Sequence, residues 1–229
     1  LGLSATPEMC RCLSSLDHHG LFTSSGAHSL ENIGREYTLL DIPLTYSALM
    51  SALRKPTTES ARGFVKFPVE HVSVYWNGCD TCGASFPSTG RATSDLPSPI
   101  PDLRLATCPK CSTPLIQGSR DRAAALADRD LPPLASESPS VHQLLPLSHI
   151  LAGIADTGRD SQAVRRYHAH LIDRLGNERY ILNEAPPEQI ARVHTPALAR
   201  LVVKQRTAPL RFPLRHEIAG EEDQLKLDL

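Results

Sequence analysis

No run of about 18 apolar residues occurs anywhere in the sequence, which excludes a helix that crosses a membrane. No phosphate-cradling loop of the form GxxxxGK is present either, so an ATP-driven motor is not supported. Charge of one sign is also missing: the formal net charge is −1, so no global basic field announces a nucleic-acid partner. Aromatic residues make up only 5%, with one tryptophan, while there are 19 prolines. That balance predicts short elements, many loops and a modest core, in a chain long enough for two or three small domains. The chain starts at Leu1 and shows no charged-then-apolar leader. It reads as a piece whose N-terminal part is absent.

Cysteine is what the sequence does have, and it is arranged. Cys79 and Cys82 form one C-x-x-C pair (CDTC) and Cys108 and Cys111 a second (CPKC), separated by 25 residues. Each such knuckle turns both sulfurs towards one point, and two knuckles supply tetrahedral sulfur coordination. The spacing predicts a structural zinc site, and four thiolates leave no open position for catalysis. The gap is longer than usual, but each doubling of a loop costs only about 0.6 kcal/mol in closure entropy. Metal-binding thiols of this kind favour a reducing, cytoplasmic setting. Cys10 and Cys12 have nothing nearby to complete a site and read as reduced cysteines in a loop.

Along the chain, LFT (21–23) and YTLLDI (37–42) read as buried strands, because their apolar residues run together. Tyr46, Leu49, Met50 and Leu53 have helical spacing, so 45–54 is predicted as a helix. FVKF and HVSVYW look strand-like, and SRDRAAALADR (119–129) looks helical. Residues 130–141 read as a linker. Beyond it come helices over 147–155, 160–176, 186–193 and 195–206. Asp160 or Ser161 caps the second of these, Gly176 ends it, and the Thr195–Pro196 pair opens the last. The tail EEDQLKLDL alternates weakly enough to form a final strand. These readings give an α/β fold in four stretches: 1–62, a cysteine-bearing 63–129, the linker 130–141 and a helical 142–229.

Net charge conceals a division. Residues 159–216 carry a net +6, and 217–229 a net −4. Arg165, Arg166, His168, His170 and Arg174 share one predicted helix; Arg200, Lys204 and Arg206 share another. Phosphate contact and a solvated helix face both account for such a pattern.

In order, these pieces resemble endonuclease Q, a DNA-repair family built on a PHP (polymerase and histidinol phosphatase) domain. GLSATPEMCRCLSSLD (2–17) is similar to the family's GLSS-x-PPM…RLSALD, and TSSGAHSLENIGREYTLL (23–40) to its SNSDAHS…LGREAN. FPVEHVSVYWNGCDTCG (67–83) resembles FPEEGKYHYDGHRKCG. TCPKCSTPLIQGSRDRAAALADR (107–129) resembles TCPVCGKPLTIGV-HRV-ELADR. LLPLSHILAGI (144–154) matches a following helix.

The resemblance implies a C-terminal remnant of a PHP-type distorted β/α barrel (1–62), a zinc-ribbon-like domain (63–129) and a small helical, DNA-binding domain (142–229). It implies a metal-dependent endonuclease that nicks DNA beside deaminated bases or abasic sites. DNA, possibly damaged duplex, would be the partner, with no membrane and no small-molecule cofactor. His28 falls on the histidine of a late Asp-x-His metal motif, which would make it a catalytic ligand for Mg, Mn or Zn. Taken alone, the stretch does not say whether His28 is a ligand or an ordinary loop histidine, and His18 and His19 read as exposed turn residues. Gly26 stands where the motif has aspartate. Cys79 replaces a family histidine, as do Tyr75 and Asp121, and the family's YDG-x-YG ending is not recognisable. Arg165, Arg166, Arg174, Arg200 and Lys204 are then the candidate DNA contacts. Arg35 and Glu36 read as a strand-end ion pair, or else as surface charges. Two other readings stand beside the endonuclease: a catalytically impaired DNA-binding relative, which Gly26 favours, and a zinc-ribbon interaction module.

Overall fold

The computed structural model describes residues 1–54, 57, 59–86, 107–130 and 140–207. The expected final strand in the tail lies outside them. Two compact units divide between Val141 and His142. The architecture is mixed α and β, with small sheets and several helices.

Unit 1 begins with a short helix, α1 (Pro7–Arg11). The Thr6 hydroxyl accepts from the Met9 N–H and Pro7 sits in the first turn, so the Thr-Pro pair starts this helix. The stretch expected to be loop is therefore helical at its centre, with Cys12 buried at its C-terminal cap. Strand β1 (Tyr37–Leu40) pairs antiparallel with β2 (Ala61–Lys66), Tyr37 opposite Val65. β1 is only half-buried, against the expectation of a buried strand covered on both faces. Residues 21–23 make no strand. Thr23 is instead tied by side chains: its N–H donates to Thr38 Oγ1 (2.9 Å) and Thr38 donates back to its carbonyl (3.0 Å). HVSVYW is not a strand either; it folds as two 3-10 turns, Val69–His71 and Ser73–Tyr75. The Val72 N–H is satisfied by the Val69 carbonyl three residues back, which removes it from any ladder.

Helix α2 (Tyr46–Arg54) forms where its periodicity places it, yet Tyr46 is 79% exposed and only Ala52 is buried. Ser140 opens strand β5 (Ser140–Gln143), and within unit 1 its hydroxyl donates to the Arg62 carbonyl.

A buried ion pair pins the end of the β1–β2 ladder. Lys66 Nζ lies 2.9 Å from Glu36 Oε1 and 3.0 Å from Oε2, with side chains 2% and 0% exposed. Glu36 also accepts from the Thr23 hydroxyl (2.8 Å) and the Phe67 N–H (3.0 Å). The expected ion pair at this strand end does exist, but its cation is Lys66. Arg35 turns away to the Ser25 carbonyl and the Asn32 side chain.

Unit 2 is a helical bundle: α4 (Leu147–Ile154), α5 (Gln162–Leu175), α6 (Glu178–Asn183), α7 (Pro187–Val193) and α8 (Pro196–Thr207). Ser161 caps α5 and Gly176 ends it at φ +101. Thr195 caps α8. The core is Leu147, Ile150, Leu151, Leu171, Ile181, Ile190, Leu198 and Val202, nearly all fully buried. α6 is an addition to the sequence reading; the Asn177 side chain caps it through the Tyr180 N–H.

Candidate metal centre and cationic helices

Two hairpin-like turns build the cysteine site. In the first knuckle the Cys79 N–H donates to Ala84 O (2.9 Å) and the Gly83 N–H to Cys79 O (2.9 Å), with Gly83 at φ +67. This turn is flanked by the short strands β3 (Asn77–Gly78) and β4 (Ser85–Phe86). In the second, the Cys108 N–H donates to Thr113 O and the Ser112 N–H to Cys108 O, both 2.7 Å. Ser112 holds φ +60, a left-handed conformation that glycine reaches more cheaply. Paired hydrogen bonds between Gly78 and Ile116 (3.0 and 2.8 Å) lock one knuckle to the other. Helix α3 (Ser119–Leu126) follows directly, beginning at Gly118, whose N–H donates to Asn77 Oδ1 (2.9 Å).

The result brings all four predicted cysteines together, with their sulfurs within 4.8 Å of one another. Cys79 and Cys111 are 3.3 Å apart, and Cys82 and Cys108 3.6 Å. A disulfide needs about 2.05 Å, so none is formed. A zinc–sulfur bond of about 2.3 Å sets a tetrahedral edge of about 3.8 Å; the two separations of 3.3 and 3.6 Å fall just short of it, and no pair of the four sulfurs exceeds 4.8 Å. The donor set therefore fits a tetrahedral, thiolate-loving cation such as zinc. Thiols this close do not ionise alike. The Thr113 hydroxyl draws the Cys79 thiol down to about 6, aided by a backbone hydrogen bond. Cys111 is lowered by the same hydroxyl. At Cys82 a backbone hydrogen bond at Ala84 pulls downward, but burial and the neighbouring Cys108 push it up to about 12. A cation among the sulfurs removes that conflict.

His28 is exposed, in a bend before a 3-10 turn at Leu30–Asn32. Among the described residues the four cysteines are the one group of three or more metal-binding side chains drawn together, and His28 is outside it. Gly26 is exposed at φ +51, and a Cβ there would meet nothing within 4 Å. Arg35 organises this loop through its bonds to Ser25 and Asn32, a role the sequence did not disclose. His18 and His19 are exposed in a turn, as expected.

In unit 2, Arg165, Arg166 and Arg174 on α5 and Arg200 and Lys204 on α8 are all exposed. Arg166 and Arg174 are eight residues apart, and Arg200 and Lys204 four, so each pair shares a face of its helix. Arg166 packs over the Tyr167 ring at 5.9 Å. Two members of the expected basic cluster serve other ends. Arg206 points inward and donates to the carbonyls of Ile181, Leu182 and Ala185 (2.8–3.0 Å). His168 bonds Glu178 (2.9 Å), whose other oxygen accepts the Leu147 N–H (2.7 Å) and so caps α4. Burial disfavours the Glu178 carboxylate, but these two hydrogen bonds hold its titration below the usual range.

The family described as the MJ0043 C-terminal domain matches residues 146–208, which is unit 2 from α4 to α8. The uncharacterized protein YqxK of Bacillus subtilis (strain 168) is 28% identical over 214 residues, covering 93% of this chain and 48% of its own. The crystal structure of the lesion-specific endonuclease PfuEndoQ from Pyrococcus furiosus aligns with a TM-score of 0.69 at 23% identity, over 90% of this chain and 49% of that one. Endonuclease Q in complex with a 27-mer duplex substrate, with an abasic lesion at the active site, gives 0.71 at 23% identity, over 90% and 50%. The chain thus spans about half the length of the relatives it matches. Over nine-tenths of its own length it carries the fold of endonuclease Q.

Proposed function

We propose that this chain works as part of a metal-dependent DNA-repair endonuclease, one that nicks DNA beside deaminated bases or abasic sites. The observation that carries the reading is the shared fold with an endonuclease Q captured on an abasic duplex. In this reading residues 1–62 belong to a PHP-type barrel, 63–129 form a zinc-ribbon-like domain with Cys79, Cys82, Cys108 and Cys111 as structural ligands, and 142–229 hold DNA. The exposed cations Arg165, Arg166, Arg174, Arg200 and Lys204 supply the positive charge that phosphate contact needs. Zinc in the four-cysteine site ties the two knuckles and contributes directly to folding. A divalent metal at the barrel site would polarise a phosphoryl oxygen and yield hydroxide from its bound water. His28 is the residue of this chain offered to that metal, and Arg35 steadies the loop that carries it.

The test is nicking of uracil-containing and abasic duplexes by the intact protein with Mg²⁺ or Mn²⁺. Nicking confined to the damaged strand supports the reading; none with either metal refutes it. A second reading, a DNA-binding relative impaired in catalysis, is favoured by Gly26, which offers neither charge nor ligand where the motif has aspartate. Gly26→Asp separates the two. The site is open and aspartate tolerates positive φ better than most residues, at a cost of about 1 kcal/mol. A silent wild type rescued by the substitution establishes the impaired relative. Equal nicking by both removes position 26 from the metal site.

A further inference from the structure

Thr113 stands where the two knuckles meet. Its hydroxyl oxygen lies 3.1 Å from Cys79 Sγ and 3.0 Å from Cys111 Sγ, so it reaches one sulfur from each knuckle. Its backbone is fixed independently, because its carbonyl accepts the Cys108 N–H at 2.7 Å. Ser112, immediately before it, holds the left-handed turn that aims the side chain inward. A threonine hydroxyl has one hydrogen and a metal-bound thiolate has lone pairs left over. The hydroxyl therefore donates to sulfur, and the sulfur accepts. Charge drawn from a thiolate in this way makes it a poorer nucleophile and holds it in place on the metal.

We propose that Thr113 is a positioning residue for the four-cysteine metal site: its hydroxyl shares its one hydrogen between the Cys79 and Cys111 thiolates, joins the two knuckles and shields both sulfurs from electrophiles. The proposal rests on the zinc reading above and deepens it.

The experiment uses the full zinc-loaded chain and three variants. Thr113→Val keeps shape and removes the donor, Thr113→Ala removes it without adding a methyl in its place, and Thr113→Ser keeps it. Two quantities are read: the rate of zinc release on alkylation with iodoacetamide, followed with a chromophoric chelator, and the sulfur-to-cobalt charge-transfer band of the Co²⁺-substituted chain. The donor-free variants should retain one metal per chain yet release zinc about tenfold faster, as loss of a metal's supporting hydrogen bond commonly does. Their charge-transfer band should move to longer wavelength, since sulfur lone pairs rise in energy when a hydrogen bond is lost. Thr113→Ser should match wild type in both. If neither donor-free variant holds metal while Thr113→Ser does, the donor is required outright and the proposal stands. If they hold metal with wild-type rate and band, the proposal is wrong and the zinc reading survives. Wild-type chain without zinc removes the zinc reading itself.

Discussion

Lys66→Met tests the physical account of unit 1. Lys66 and Glu36 are almost wholly out of water, and the pair sits at the end of the β1–β2 ladder beside the segment that leads to His28. Removing the ammonium leaves a buried carboxylate that, among the described residues, keeps the Thr23 hydroxyl and the Phe67 N–H as hydrogen-bond donors. An uncompensated buried charge of this kind costs about 3–5 kcal/mol. That is a large share of the ~5–15 kcal/mol that holds a typical domain together. With a urea slope near 2 kcal/mol per M, the unfolding midpoint should fall by about 1.5–2.5 M. The single tryptophan, Trp76, lies in unit 1, so its emission reports this unit's transition. Glu36→Gln should cost nearly as much, because it strands the ammonium with the Gly2 carbonyl. The double variant Glu36→Gln/Lys66→Met should recover much of the loss, with a coupling of about 2–3 kcal/mol. A loss below about 1 kcal/mol for Lys66→Met, or strictly additive effects in the double variant, would refute the reasoning.

Two more outcomes follow from the structure. A Cβ on Gly118 would fall 2.3 Å from the Trp76 carbonyl carbon and 2.5 Å from the Tyr75 carbonyl oxygen, both backbone. Gly118→Ala should therefore destabilise unit 1 by about 3 kcal/mol in the same urea assay, and an effect within about 0.5 kcal/mol would contradict that close approach. In unit 2, burial and then His170 hold the His194 imidazolium below its ordinary 6.5. The unfolded chain then binds the proton more readily, so stability is full above about pH 6.5 and falls as pH drops through the lower folded value. Helix content against urea should show a lower midpoint at about pH 5.5 than at about 7.5, with the difference reduced in His194→Gln. Equal pH dependence in both proteins would remove His194 as the cause.

Local chemistry was legible where it is written in adjacent residues. The C-x-x-C spacings gave each knuckle, and the Thr195–Pro196 pair with its apolar period gave α8. The same Thr-Pro pair at Thr6–Pro7 starts α1, but five residues are too few to show a helical period. Tertiary effects were not legible. The periodicity of α2 made it a helix without saying whether its apolar face is covered, and Tyr46 is exposed. FVKF reads as a strand, with nothing in it to mark Lys66 as buried. Only the ladder that sets Glu36 beside Lys66 reveals an ion pair among buried residues, and so frees Arg35 to shape the loop of His28. Thr113 was invisible for the same reason: its partners are one sulfur two residues away and another 34 residues away. Arg206 and His168 show the limit of reading charge along a helix, since both face partners inside unit 2.

The central claim is that the cationic helices hold damaged DNA. Its most direct test is binding of the 229-residue chain to an abasic duplex, with an undamaged duplex beside it, across a salt series. If Arg165, Arg166, Arg174, Arg200 and Lys204 each displace a counterion, the log–log salt slope is about −4.5, and affinity falls about 500-fold between about 50 and 200 mM salt. Preference for the abasic duplex with that slope is the predicted result. No binding at low salt, or an affinity indifferent to salt, would contradict it.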